Sequence, residues 1–159
     1  MKGVVRGKRA KVLIDGGASH NFIDVAMVER RRIPTTPFEG FLVEVAGGHT
    51  MACGRYIPQM SLTLGKYTLV QDFYVVDIPD TNIKLGVQWL ITLGPITTNY
   101  NTMEMSFNNE DGKRITLKGM TGKSPRVVTT KKMHAILRCE EVAYATGCFI
   151  TEIGNREPK

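Results

Sequence analysis

Cysteine is scarce in this chain: Cys53, Cys139 and Cys148 are an odd number at wide spacings. That excludes a disulfide framework and a paired-ligand zinc motif, and a reducing, intracellular, cytoplasmic setting is expected. Long apolar runs are missing too. The opening MKGVVRGKRAK interleaves charge with small residues and offers no apolar stretch for a signal peptide. No later segment approaches the ~20 apolar residues a membrane span needs, so a soluble protein with no membrane partner is expected. Acids are absent from Gly112 to Cys139, a stretch with eight Lys or Arg. No aromatic residues interleave there to stack on bases, so the block reads as a solvated linker ahead of a nucleic-acid contact. His20, His49 and His134 share no ligand spacing with one another or with the cysteines. No metal and no cofactor is expected.

What is present is a chain of 159 residues with 42% apolar content, enough for one domain with a real core. Its formal charge of +6 is compatible with acidic partners but speaks to non-specific association, not to fold. From Val12 to Leu117 apolar residues alternate or run in short pieces, as half-buried strands do. Phe41, Val43 and Val45 share a face; so do Met60, Leu62 and Leu64; Met103, Met105 and Phe107; Ile115 and Leu117. Turn formers separate them at Gly47-Gly48, Gly65-Lys66, Pro79-Asp80, Asn108-Asn109 and Asp111-Gly112. Two short helices are expected, Phe22 to about Arg31 with Asn21 as a cap, and Val87 to Leu93 stopped by Gly94-Pro95. This pattern predicts an all-β sandwich or barrel and argues against repeating strand-helix-strand units. Past Gly119 the composition changes, with a linker at Thr121–Arg126 and a helix expected from about Lys131 to Tyr144.

The stretch VLIDGGASHNFID, Val12 to Asp24, drives aliphatic residues toward a core and then places Asp15 before two glycines. A phosphate cradle is one reading. It fails, because Gly3-Val-Val-Arg-Gly7-Lys8-Arg9 is one residue short of a Walker loop and lacks its hydroxyl, and Gly16-Gly17 opens no long helix with a third glycine. The other reading is a tight turn presenting Asp15 as a catalytic carboxylate.

In that reading the stretch resembles the active-site turn of aspartic proteases, specifically the retropepsins of Ty3/gypsy-type long-terminal-repeat retrotransposons of plants. IKLGVQWLITLGPITTNYNTMEMSF, from Ile83 to Phe107, resembles the family's second landmark, an aliphatic-Gly step into a short helix and a closing strand. FLVEVAGGHTMACGRY resembles the flap hairpin, and Asp72–Val76 the buried strand before the landmark. The resemblance covers about Met1 to Gly119 and implies a closed β-barrel subunit, residues 1–119, followed by a linker or C-terminal extension, residues 120–159.

The resemblance implies Asp15 as the catalytic residue, with Gly16, Gly17 and Ala18 forming the active-site turn. It implies Ala46, Gly47, Gly48 and His49 as the flap tip over a peptide, Leu85 and Gly86 as braces behind the turn, and Trp89 as core packing. A single chain carries one such turn, and two adjacent carboxylates must share a proton. The implied enzyme is therefore a homodimer, an aspartic endopeptidase cleaving a retroelement polyprotein in the cytoplasm or a retroelement particle. Two departures stand out. Gly16 occupies a position where the family has Ser or Thr, whose hydroxyl bonds across the dimer, and Lys84 occupies a usually aliphatic one. Both favour the alternative of a catalytically silent dimerisation or spacer module. A third alternative is nucleic-acid binding through the basic tail. Asp24 reads as a helix-start or surface acid, His20 as a turn residue, and the adjacent Ser19 and His20 do not make a nucleophile-base pair.

Overall fold

The alternating segments form ten strands in a computed structural model that describes residues 1–45 and 49–120. They are β1 (Lys2–Val5), β2 (Lys8–Ile14), β3 (Phe22–Asp24), β4 (Thr36–Val45), β5 (His49–Leu64), β6 (Tyr67–Val76), β7 (Ile83–Leu85), β8 (Thr97–Asn99), β9 (Glu104–Asn108) and β10 (Arg114–Lys118). Two helices accompany them, α1 (Val25–Arg31) and α2 (Val87–Leu90), the second continued by a 3-10 turn at Ile91–Leu93. The linker and helix expected within 121–159 lie outside the described residues. Among the described residues no helix is long and apolar enough to cross a membrane.

Six strands close on themselves in the order β1-β2-β7-β3-β6-β5, with β5 returning to β1 where Thr63 stands opposite Val4. β4 extends the sheet from the free side of β5. This is the all-β closed barrel with two short helices. Arg6 and Gly7, at φ 50° and 74°, form the reverse turn that joins β1 to β2 with a twist matching the strands. A bulge between Ile57 and Met60 gives β5 one extra residue against β6 and bends it. The bulge residue Gln59 takes φ 47°, and its backbone N–H, lost to the ladder, donates to Asp72 Oδ1 at 2.8 Å.

Most ladders are antiparallel, but β2–β7 and β3–β6 are parallel over three residues each. The first of these positions the site. Parallel neighbours end at the same edge of a sheet, so pairing Ile14 with Leu85 makes the residues that follow, Asp15 and Gly86, emerge side by side.

The interior is filled by alternate residues of every barrel strand, among them Val5, Val12, Leu62, Leu64, Phe73, Ile83 and Leu85, each 0–1% exposed. Trp89 is fully buried at the base of α2 and meets Phe107 edge-on, with ring centroids 6.2 Å apart. Tyr67 meets the same Phe107 at 5.1 Å. Phe107 belongs to a separate three-stranded sheet, β10-β9-β8, which these aromatic contacts tie to the barrel.

Three local expectations are corrected. Phe22–Asp24 is strand rather than helix, because β6 and β7 offer backbone pairing on both sides of it. The helix therefore starts at Val25, capped by Asp24 and not by Asn21: Asp24 Oδ2 accepts from Met27 N–H at 3.0 Å, and Oδ1 from Ile78 N–H at 3.5 Å. Asp24 is a helix start, yet it is buried rather than a surface acid. Met103 does not share a strand face with Met105 and Phe107. Asn99 Oδ1 accepts from the N–H groups of Asn101 and Thr102, winding the chain into a turn that leaves Met103 at φ 53° and half exposed.

Asp24→Ala is expected to cost about 1–2 kcal/mol, whereas Asp24→Asn, which keeps a capping oxygen, should cost a few tenths. Urea unfolding with an unchanged m-value checks this; equal losses in both variants would refute the capping role.

Candidate active site

The strand β2 delivers Asp15 to the barrel edge, where its N–H donates to Leu85 C=O at 2.9 Å and so continues the parallel ladder by one rung. The chain then doubles back. Ala18 N–H donates to Asp15 C=O at 3.1 Å, and Gly17 N–H donates to Asp15 Oδ1 at 3.0 Å. One carboxylate oxygen is thus fixed by the turn's own backbone. The other, Oδ2, lies 3.8 Å from Lys84 Nζ, and the Asp15 side chain remains about one-third exposed, at 32%. A Cβ on Gly17 would stand 3.3 Å from Asp15 Oδ1, so the carboxylate's position favours glycine there; a Cβ on Gly16 would meet nothing within 4 Å.

Beside the turn rises an apolar wall. Ala18 packs on a cluster built from Phe22, Cys53, Val76 and Ile78 with Phe38, Phe41, Val43, Met51 and Tyr74. His20 joins it, its ring stacked on Phe41 at 5.2 Å and edge-on to Tyr74 at 5.1 Å. Its Nδ1 is 2.8 Å from Ser19 Oγ, so this pair orients the imidazole against the wall. Burial pushes the Tyr74 hydroxyl above its ordinary pKa, and the charge of Asp72 adds to the shift. Burial likewise pushes the Cys53 thiol up, against the lowering effect of hydrogen bonds with the backbone of Arg55 and Val75. Cys53 is 1% exposed and packs as a wall residue. Of the residues expected at the flap tip, Ala46, Gly47 and Gly48 lie outside the described residues, and His49 is exposed at the start of β5, opposite Val45. Among the described residues no three His, Cys, Asp or Glu side chains converge as a metal ion would require.

The turn is held from behind by the segment after β7. Val87 N–H donates to Ala18 C=O at 2.8 Å and Gln88 N–H to Ser19 C=O at 3.1 Å, so loop carbonyls satisfy the first free donors of α2. Asn21, fully buried, does most of the joining. Its Oδ1 accepts from Gly86 N–H at 3.0 Å, its Nδ2 donates to Asp72 C=O at 3.4 Å, its N–H donates to Gln88 Oε1 at 3.1 Å, and its C=O accepts from Tyr74 N–H at 2.9 Å. Sequence reasoning had no role in the site for Asn21 or Gln88. The available signal was a polar amide directly before the apolar Phe22-Ile23, which a buried strand tolerates only when the amide is fully bonded. Gly86 is required by space: a Cβ there would overlap the carbonyl oxygens of Ala18 and His20. Gly86→Ala is expected to destabilise the fold by about 1–3 kcal/mol or more by forcing that loop away. Thermal unfolding checks this, and a wild-type transition would refute the close approach.

Comparison with known proteins agrees with this geometry. The retroviral protease-like domain of Ddi1 from Leishmania major has a similar structure, with a TM-score of 0.56 at 13% sequence identity, covering 78% of this chain and 94% of that one. At that identity the likeness is one of fold. Residues 11–116, which run from β2 into β10 and include the Asp15 turn, the wall and the Gly86 brace, match the family described as the PEG10/RTL1 protease domain. The chain belongs to that family of retropepsin-like protease domains.

Proposed function

We propose that the chain is an aspartic endopeptidase subunit that becomes complete when two copies pair about a two-fold axis, each contributing one Asp15. The observation that carries this reading is the Asp15 carboxylate itself: one oxygen is bonded to Gly17 N–H, the side chain is partly open to solvent, and an apolar wall stands beside it. In the pair the two carboxylates share a single proton, since both cannot ionise side by side. The ionised carboxylate removes a proton from a water whose oxygen attacks the peptide carbonyl carbon, while the protonated one donates to the carbonyl oxygen. Collapse of the resulting tetrahedral species breaks the C–N bond as the leaving nitrogen takes up a proton. The attack is by water directly, so no acyl-enzyme forms.

The peptide lies extended, its alternate side chains directed to the wall of Phe38, Phe41 and Tyr74, with the hairpin of β4 and β5, including Ala46, Gly47, Gly48 and His49, closing over it. Leu85 and Gly86 brace the turn. Residues 1–119 form the protease domain and 120–159 a linker or extension. The substrate is the polyprotein of a Ty3/gypsy-type retroelement, of the plant type that the VLIDGGASHNFID turn resembles, processed in the cytoplasm. A second reading, a silent dimerisation module, is favoured by Gly16, which has no hydroxyl to bond across the two-fold axis.

Asp15→Asn is expected to lower peptidase activity at mildly acid pH by about 10²–10⁴-fold or more without loss of folding. Wild-type activity should rise with the dimer fraction seen by sedimentation across a concentration series. A well-folded dimer with no turnover would sink the enzyme reading in favour of the silent module. Gly16→Ser, which has open space to enter, is expected to tighten the dimer and raise activity at fixed concentration; no change in the sedimentation midpoint would remove Gly16 from the account.

A further inference from the structure

We propose that Lys84 makes the site selective for peptides carrying an acidic side chain next to the scissile bond. The proposal rests on the endopeptidase reading. β7 is pinned on both sides, with Lys84 opposite Leu13 of β2 and Phe22 of β3, so its backbone has no freedom to carry the residue elsewhere. Ile83 and Leu85 are fully buried, and strand alternation directs Lys84 to the opposite face, the one that bears Asp15. Its side chain is only 23% exposed, and its ammonium lies 3.8 Å from Asp15 Oδ2, beyond hydrogen-bond length. Among the described residues no hydrogen bond takes up its N–H groups. An ammonium carried on a mostly buried side chain, with no hydrogen-bond acceptor among the described residues, has donors left for a second anion.

The charge balance of the assembled site points the same way. Two subunits bring two Lys84 and two Asp15, and one shared proton leaves the pair of carboxylates with a single negative charge. These four groups together then carry one positive charge more than negative. The wall on the other side is built from the apolar side chains of Ala18, Phe41 and Val43 together with Tyr74. Because the arrangement is two-fold symmetric, each side of the scissile bond faces one Lys84, and an Asp or Glu on either side is served equally. The ammonium stands beside the carboxylate that acts on the carbonyl, so it is within reach of the side chains that flank that carbonyl.

The test uses the full chain and peptides that differ only by Glu or Gln at one flanking position, which changes charge at constant shape. For wild type the Glu peptide is expected to be cleaved with a kcat/KM about tenfold higher than the Gln peptide, the scale of a charge-assisted hydrogen bond. Lys84→Arg should keep the preference, Lys84→Met should bring the ratio to about one, and Lys84→Glu should favour a Lys peptide instead. A parallel binding measurement by fluorescence anisotropy on Asp15→Asn protein, with and without Lys84→Met, reads the same selectivity without turnover. Cleavage or binding that ignores the Glu/Gln difference in wild type, or keeps it in folded Lys84→Met, overturns the proposal. If no peptide is cleaved but the Asp15→Asn protein binds the Glu peptide more tightly and loses that preference with Lys84→Met, the endopeptidase reading fails and the role of Lys84 stands.

Discussion

The side-chain amide of Asn21 joins segments that the chain separates by some fifty to seventy residues: the turn after β2, the strand β6 and the start of α2. A fully buried amide left unbonded would cost free energy comparable to several lost contacts, so its bonds are made together or the packing around it is not formed. That coupling is what gives Asp15 a fixed place. Its turn is only four residues long, and two of them are glycine, which on their own would wander. Bonded through Asn21, Val87 and Gln88 to a helix whose Trp89 is sealed in the core, the same turn is tied to the barrel interior.

The price of that rigidity is paid at Gly86. The loop carbonyls of Ala18 and His20 come so near its Cα that no side chain fits. Close approach of two backbones, each with its donors satisfied by the other, substitutes for a layer of side chains, and it lets a short parallel ladder between β2 and β7 carry both Asp15 and Gly86 to one edge. The separate sheet of β8 to β10 takes no part in this; it covers the far side of Trp89 through Phe107.

The electrostatics of the edge are unusual for the same geometric reason. Alternation along β7 allows one outward residue between two core positions, and that residue faces the carboxylate whatever its chemistry. With Lys84 there, a cation replaces hydrocarbon against the acid. The ion pair is long and partly solvated, so it contributes little to folding, and its effect falls on whatever approaches the turn from outside. The wall of His20, Phe41 and Tyr74 gives the complementary half of the surface, apolar and stacked.

Much of this was legible from the residues in order. Alternation placed Met60, Leu62 and Leu64 in the core, Gly65 and Gly112 at reversals, and Asp15 at the end of an apolar strand before flexible glycines, because each of those features depends on neighbours a few positions away. The sequence could not show that Phe22–Asp24 is strand, since its apolar spacing suits a helix equally and the decision rests on ladders offered by β6 and β7. Nor could it show that Asn21 bonds Gly86, that the bulge at Gln59 is satisfied by Asp72, or that Lys84 points at Asp15. Those are contacts between residues 13 to 69 positions apart, and only the closing of the barrel, which sets register between distant strands, brings them within bonding distance. Local chemistry determined the turn and its acid; long-range register decided what surrounds them.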